Sequence, residues 1–492
     1  MDPLPVEIVR EIVLLAIEGP DDATHRRYVA QLAAINRVFQ EIIEDVTFAD
    51  LHLTVTRIPE AAVVLYRYDH RIKCVKSITY DAHVYASDIM LGHALESPLN
   101  SLPPHYYIDI LFNLLAWLQQ HTEQHPASDR GIALFIKASR PRFAPYRAHE
   151  LQRPRDWVVK HILPPEAFFE LHRRMLSQRN FDDLRPKFDF LSKLTLDQNS
   201  MAQYMNPEAM NYIVPFFKDL KTIEWIFTEC ERYGPQFRRD LRSDMARILY
   251  TLPAFTRNLR LEFCNYPPLN QDYIPHVTVH YGDTEDVLTC TIRQASQNLE
   301  VISVKGVLGT PQLFWPKEAS SSEDTPFWPH LVKMQINYHI ATPEGGWLFQ
   351  KDKSGKPRQN ALSPNPAARR PGAQDSPPNQ YRFWPVESSM NQFYLAVAQA
   401  ITHMPKLKIM RLRPTLWTGG YDKETHRFSF VIREREAIAK WVGSPVFVPD
   451  DNIIETLQKA AYDRAVVLVV QKVDTLLVQD VDHTVEEVGE AN

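Results

Sequence analysis

Two pairs of histidines have the i, i+4 spacing that puts two imidazoles on one helical face, within reach of a single metal ion. His121 and His125 stand at the end of a helical pattern, just before Pro126. No third ligand is evident there, and the pair fits solvated surface histidines. His276 and His280 repeat the spacing inside a Val/Thr-rich, strand-like stretch, which would not bring them together. Paired carboxylates would suit general acid–base work. However, Glu434 with Glu436, and Asp450 with Asp451, fit solvated faces or a helix cap better. GxGxxG, GxxxxGK[ST], GxSxG and HExxH are all missing. The residue types therefore imply no catalytic residue, no metal and no cofactor, so an enzyme is not expected.

The composition narrows the class. With 44% hydrophobic and 23% charged residues the chain is ordinary for a globular protein. Its net charge of −5 gives no global attraction to nucleic acid or an anionic membrane. The 15 glycines against 37 prolines disfavour glycine-rich phosphate loops. Cys74, Cys230, Cys264 and Cys290 are widely spaced and form no CxxC, as in a reduced protein with small buried thiols. Asp2 and Glu7 do not suit a signal peptide, and no apolar run reaches the roughly 20 residues of a membrane span. A cytoplasmic or nuclear protein is expected.

The elements begin with a helix at Leu4-Pro5-Val6-Glu7-Ile8. Pro5 suits a first helical turn, having a fixed φ and no N–H to lose. Ile8, Ile12 and Leu15 form one apolar stripe. Leu32, Ile35, Phe39, Ile42, Ile43 and Val46 form a second, and Gly19-Pro20-Asp21-Asp22 separates the two. Short helices within about fifty residues cannot enclose much core, so their remaining apolar surface needs cover from the chain or from a partner.

This head, 1–53, resembles an F-box: a Leu-Pro-x-Glu-Ile start, an apolar helix, then a helix passing through Arg37 toward Phe39 and Phe48. The resemblance implies docking to the Skp-type linker subunit of a cullin–RING ubiquitin ligase. Carried over by position, the docking residues are Leu4, Pro5, Ile8, Ile12, Leu32 and Ile35. The sequence departs from the family in its long polar connection from Glu18 to Tyr28 and in having no Trp after the second helix.

A loose repeat follows. Leu191-Ser-Lys-Leu194-Thr-Leu196-Asp-Gln-Asn199 meets the leucine-rich-repeat pattern at every defined position. Weaker copies run through Leu220/Ile223/Trp225, Leu259/Leu261/Cys264, Leu299/Ile302/Val304, Leu331/Met334/Ile336 and Leu407/Met410/Leu412. Starts at 191, 220, 256, 299, 331 and 407 give intervals of 29, 36, 43, 32 and 76 residues. Removing the Pro-rich basic insert 351–382 shortens the last interval to 44. Helices are expected over Arg238–Leu252, Asp286–Ser296 and Ser388–His403.

The expected organisation is α/β. After the head comes a linking α/β region over 54–186 with degenerate repeats, including a strand near Ile78 and Tyr80, a helix over Tyr106–His121 and a strand over Ile132–Ile136. An irregular leucine-rich-repeat-like solenoid occupies 187–350. The insert 351–382 is expected to be disordered. A last repeat and an α/β cap fill 383–478, and an acidic tail fills 479–492. The head and the drifting repeats together look like the F-box-like proteins of filamentous fungi. In such an array the residues between consensus positions line one sheet face. Lys305, Lys333, Gln335, Arg411 and Arg413 would then form a cationic surface for an acidic or phosphorylated segment of a client protein. The expected function is a substrate-recognition adaptor; the alternative is a repeat scaffold that binds proteins without any ligase. A buried cluster of ionisable groups would favour a third option, a hydrolase or metal enzyme.

Overall fold

Alternating burial along consecutive strands organises the chain. The computed structural model describes residues 5–17, 28–29, 31–54, 57–81, 114–116, 118–119, 131–137, 188–197, 214, 217, 219–229, 234–264, 271, 273–317, 325–351, 382–415 and 426–474. It is a mixed α/β protein with a large, mostly parallel sheet of twelve strands. The chain divides into two compact units, Met1–Trp225 and Ile226–Asn492.

In the first unit, helix α1 (Val6–Ile17) starts on Pro5, whose carbonyl accepts from the Ile8 and Val9 amides. Helix α2 (Arg37–Thr47) is capped by Asn36, whose side chain accepts from the Phe39 amide at 3.0 Å. Val13, Ile42 and Ile43 form the buried centre, with Val9, Ile17, Leu32 and Phe39 packed around it. Strand β1 (Asp50–Thr54) leads through helices α3 (Ile58–Tyr66) and α4 (Asp69–Cys74) to strand β2 (Ser77–Asp81). Strands β1, β2, β3 (Ile132–Lys137) and β4 (Leu191–Asp197) pair in parallel, in chain order. Every second residue points inward: Ile78 and Tyr80, then Ile132, Leu134 and Ile136. Only 114–116 and 118–119 of the helix expected over Tyr106–His121 are described; they are helical, with Leu114, Leu115 and Leu118 buried.

Strand β5 (Thr222–Thr228) contains the boundary between the units. Helix α5 (Pro235–Tyr250) precedes strand β6 (Asn258–Cys264), and helix α6 (Val287–Ser296) precedes strand β7 (Val301–Leu308). Strand β8 (Lys333–His339) is followed by the short strands β9 (Phe349–Gln350) and β10 (Trp384–Pro385), then helix α7 (Glu387–Thr402) and strand β11 (Ile409–Thr415). Strands β6, β7, β8 and β11 are parallel neighbours. Strand β12 (His426–Ile432) reverses direction and pairs with β11 and with β13 (Glu436–Gly443). Helix α8 (Asp451–Tyr462) then returns the chain to strand β14 (Val467–Asp474), parallel to β13.

All six strands expected from the repeat pattern are present, as are the three helices. The α/β expectation holds, whereas no solenoid is detected among the described residues. Intervals running from 29 to 76 residues are too uneven for one repeating unit, and β12 breaks the parallel succession. Val9, Val13 and Ile17 pack inward from α1, which leaves the Ile8, Ile12 and Leu15 stripe on its outer side. The 277–279 stretch is irregular and not a strand. Strand β13 had no counterpart in the sequence expectations. Residues 352–381 of the insert and 475–492, including the acidic tail, lie outside the described residues, but β9 and β10 join the two ends of the insert antiparallel.

One glycine is fixed by close approach. Gly306 has φ +80°, at the bulge where the β7–β8 register shifts between Lys305 and Val307. A Cβ there would stand 2.1 Å from the Phe263 carbonyl oxygen. Gly306→Ala is therefore expected to cost about 3 kcal/mol or more, from the strained φ and the displaced neighbouring strand. Chemical denaturation would reveal this as a lower midpoint with an unchanged slope, and an unaltered midpoint would contradict it.

Candidate functional site

The head presents an unusual helix. Val9, Val13 and Ile17 bury one side of α1, while Ile8 (47% exposed), Ile12 (48%) and Leu15 (70%) share the other. Helical spacing of i, i+4 and i+7 makes these three a single apolar stripe. Pro5 is also exposed, and so is Ile35 at 58%. Leu32 instead packs against the core, and Leu4 lies outside the described residues. Of the six positions carried over from the F-box pattern, four are thus surface residues, one faces inward and one is not described.

The second candidate surface is on the sheet of the second unit. Parallel register aligns Ser303, Gln335 and Arg411 in one row, and Lys305, Asn337 and Arg413 in the next. Lys333 lies between Val301 and Ile409. On the opposite face the row Ile302, Met334 and Met410 is buried, so the five sequence-predicted residues do share the outward side. Strand β12 continues the Arg411 row with Ser429, and β13 extends it with Lys440. The surface is less cationic than the sequence implied, because the Lys305 ammonium donates to Glu262 on β6 at 2.6 Å. Lys333 and Arg411 are its most informative charges.

A buried ionic cluster was not foreseen in the sequence. Glu229, following β5, receives Arg238 at 2.6 Å and Arg242 at 2.8 Å, both from α5. The same Arg242 guanidinium donates to both oxygens of Asp286, at 2.9 and 2.7 Å. Asp286 caps α6, accepting from the Thr289 amide and hydroxyl, and it also accepts from Thr278. All four charged side chains are at most 1% exposed. Burial alone would raise both carboxyls, but the guanidiniums beside them hold both below the usual carboxylate range. Two cations against two anions, with every oxygen occupied, make a neutral, saturated joint between α5, α6 and the end of β5. Each carboxylate oxygen has a guanidinium donor, so the acids are held ionised and engaged with α5. The cluster is structural, and its presence does not favour a hydrolase.

The remaining chemistry-bearing positions are equally settled. Burial, followed by the carboxylates of Asp45 and Glu285, pushes the Cys74 and Cys290 thiols up to about 12. Neither has the thiolate character of a nucleophile. His280 meets the Ser243 hydroxyl at 2.9 Å, whereas His121 and His125 lie outside the described residues. Asp450 stands at the N-cap of α8 without a side-chain capping bond, and Glu436 opens β13 beside Arg433 at 3.6 Å. No described helix is long and apolar enough to cross a membrane.

Near the ionic cluster, buried His339 accepts the Ala341 amide on its Nδ1 at 3.1 Å, which requires that nitrogen to be unprotonated. Burial, reinforced by Arg238, lowers its pKa from 6.5 to about 4. Below pH 6.5 the unfolded chain takes up a proton that the fold refuses, so the contribution of His339 to stability is lost as pH drops from 6.5 to 4. The loss is on the order of 3 kcal/mol. His339→Asn, which keeps an acceptor but no basic nitrogen, is expected to make this part of the melting-temperature profile less steep, buried His426, lowered from 6.5 to about 3, keeping its own share. An identical slope in the variant would contradict the assignment. In comparisons with known proteins, no family model matches the chain, no curated protein matches it and no solved structure matches it.

Proposed function

We propose that the chain is a substrate-recognition adaptor of an SCF-type cullin–RING ubiquitin ligase, similar to the F-box-like proteins of filamentous fungi. The observation that carries this reading is the two-sided helix α1. One side already packs on α2, so the exposed Ile8, Ile12 and Leu15 stripe is left for a partner. Fully burying one such side chain is worth roughly 1.5–3 kcal/mol, so three supply the core of a stable interface. The Skp-type linker subunit is the occupant implied by the Leu4-Pro5-x-Glu7-Ile8 start, and it would connect the chain to the cullin. Such an adaptor works in the cytoplasm or nucleus. The chain contributes no catalytic residue; it raises the local concentration of a client's lysines near the charged enzyme.

The consecutive parallel strands, each with an inward apolar set and an outward polar set, are the finer part of this proposal: degenerate leucine-rich repeats whose outward rows hold the client. Lys333, Arg411 and Arg413, with Gln335 among them, favour an acidic or phosphorylated segment. Lys305 contributes less because Glu262 offsets it.

The head is tested by capturing purified linker subunit on the full chain and on Ile8→Asp/Ile12→Asp. Both positions are exposed, so the variant should melt as the wild type does while binding drops at least a hundredfold. Equal capture by both proteins would refute the assigned face, and no capture by either would leave the ligase-independent scaffold as the better reading.

The sheet surface is tested with an array of acidic and phosphoserine-containing peptides. Lys333→Glu/Arg411→Glu should lose most of the binding, and wild-type binding should weaken with added salt. Retention of the same peptides by the double variant would remove the client surface from the proposal.

A further inference from the structure

Three ligand-type side chains converge in the first unit, on elements distant in sequence. Asp45 is near the end of α2, whereas His70 and Cys74 are one turn apart on α4. The Cys74 Sγ is 3.1 Å from Asp45 Oδ1 and 3.4 Å from His70 Nε2, and Nε2 is 3.4 Å from the same Oδ1. The three atoms thus form a closed triangle. A nucleophile–base–acid relay would need the thiol and the carboxylate on opposite ring nitrogens. Here both approach Nε2, which suits a common centre and not a relay.

The triangle has the dimensions of a coordination face. Tetrahedral zinc has bonds of about 2.0–2.2 Å to nitrogen and oxygen and about 2.3 Å to sulfur. Those bonds set ligand separations of about 3.4 Å for the N···O pair and about 3.6 Å for pairs with sulfur. The N···O and S···N separations already agree closely. The S···O separation is shorter by about half an ångström, as a hydrogen-bonded thiol requires while it still holds its proton.

We infer that Asp45, His70 and Cys74 bind one zinc ion, with solvent completing the fourth position. Thiolate, imidazole and carboxylate together suit a borderline transition metal, whereas calcium and magnesium prefer oxygen alone. On binding, the thiol proton leaves to solvent and sulfur and Nε2 each donate a lone pair to the ion. Asp45 and His70 are both more than a third exposed, which leaves the ion a route in, whereas Cys74 forms the buried floor.

The surroundings hold the ligands in place. Arg71, next to His70, donates twice to Glu44, next to Asp45, at 3.0 and 2.7 Å, and fastens α4 to α2. Its guanidinium also lies over Phe48 and Tyr68, 5.1 and 4.7 Å from the ring centres. Arg10 of α1 is 3.8 Å from Oδ2 of Asp45, the oxygen that the triangle does not use. The Cys74 Sγ additionally meets the His70 carbonyl at 3.2 Å, and Nε2 lies 3.5 Å from the Glu41 carbonyl. These weaker contacts give way to the metal. The site is independent of the ligase reading and stands or falls separately from it.

Cobalt is the probe, because its spectrum reports both geometry and thiolate ligation. Metal-stripped full-length protein titrated with Co²⁺ should take up one equivalent, with strong tetrahedral visible bands and a sulfur-to-cobalt charge-transfer band. Zinc should displace it. Cys74→Ser should lose the charge-transfer band, whereas Cys230→Ser/Cys264→Ser/Cys290→Ser should keep it. His70→Ala, at a half-exposed position, should weaken cobalt at least tenfold and serves if Cys74→Ser does not fold. No cobalt bands in the wild type would overturn the proposal. So would a charge-transfer band that disappears only in the triple variant, or affinity unchanged in His70→Ala.

Discussion

Parallel register is the constraint on which the second unit depends. Ile302, Met334 and Met410 are aligned across β7, β8 and β11, so their burial is a collective property. A slip of one residue in any strand would turn its whole apolar set outward. The bulge at Gly306 absorbs the change of register between β7 and β8, which pair on both sides of it. Because the side-chain period is two, the register that buries Met334 and Met410 also presents Lys333, Gln335 and Arg411. The outward surface is thus a consequence of the core.

The buried charges obey a different economy. Glu229 and Asp286 are separated by 57 positions yet share one guanidinium, so Arg242 ties the end of β5 to the start of α6. Desolvating four charges is expensive, and such a cluster is a poor source of net stability compared with an apolar replacement. Its geometry is demanding, however, because each oxygen has an assigned donor. Any other packing of α5 on α6 would strand a buried charge. This directional requirement fixes an arrangement that apolar contacts alone would leave looser. It also leaves the four residues bonded to one another, each carboxylate oxygen with a guanidinium donor.

How far the residues themselves announced this arrangement depended on the type of signal. Strands were legible wherever apolar and polar positions alternated, as in Leu191–Asp197 and Lys333–His339. Strand β13 was obscured because Arg433-Glu434-Arg435-Glu436 resembles a solvated turn at its entrance. The inward side of α1 was not legible for a related reason. Apolar residues nearly surround that helix, and periodicity cannot choose between Ile8/Ile12/Leu15 and Val9/Val13/Ile17. The solenoid was over-read, since matching strands do not establish a constant unit between them. The ionic cluster gave no local signal and the Asp45–His70–Cys74 triangle little, because Asp45, Glu229 and Asp286 reach their partners only through tertiary packing. His70 and Cys74, at i and i+4 on α4, are the one trace of the triangle within a single element.

The two outward surfaces differ in chemistry in a way that bears on their use. The α1 stripe is aliphatic, without charge of its own, and gains by being covered. Such a face suits a long-lived partner of fixed identity, since apolar burial gives affinity with little directional demand. The sheet face is polar and half-exposed, with cations spaced along the strands. Contacts of that kind are screened by salt, contribute modestly one at a time and discriminate by placement. They suit a partner that must be recognised and then released. An adaptor requires this division, with one constant attachment and one exchangeable one. A scaffold that merely gathered proteins would not need two surfaces of such different chemistry. That asymmetry, more than either surface alone, is why the ligase-adaptor reading is preferred.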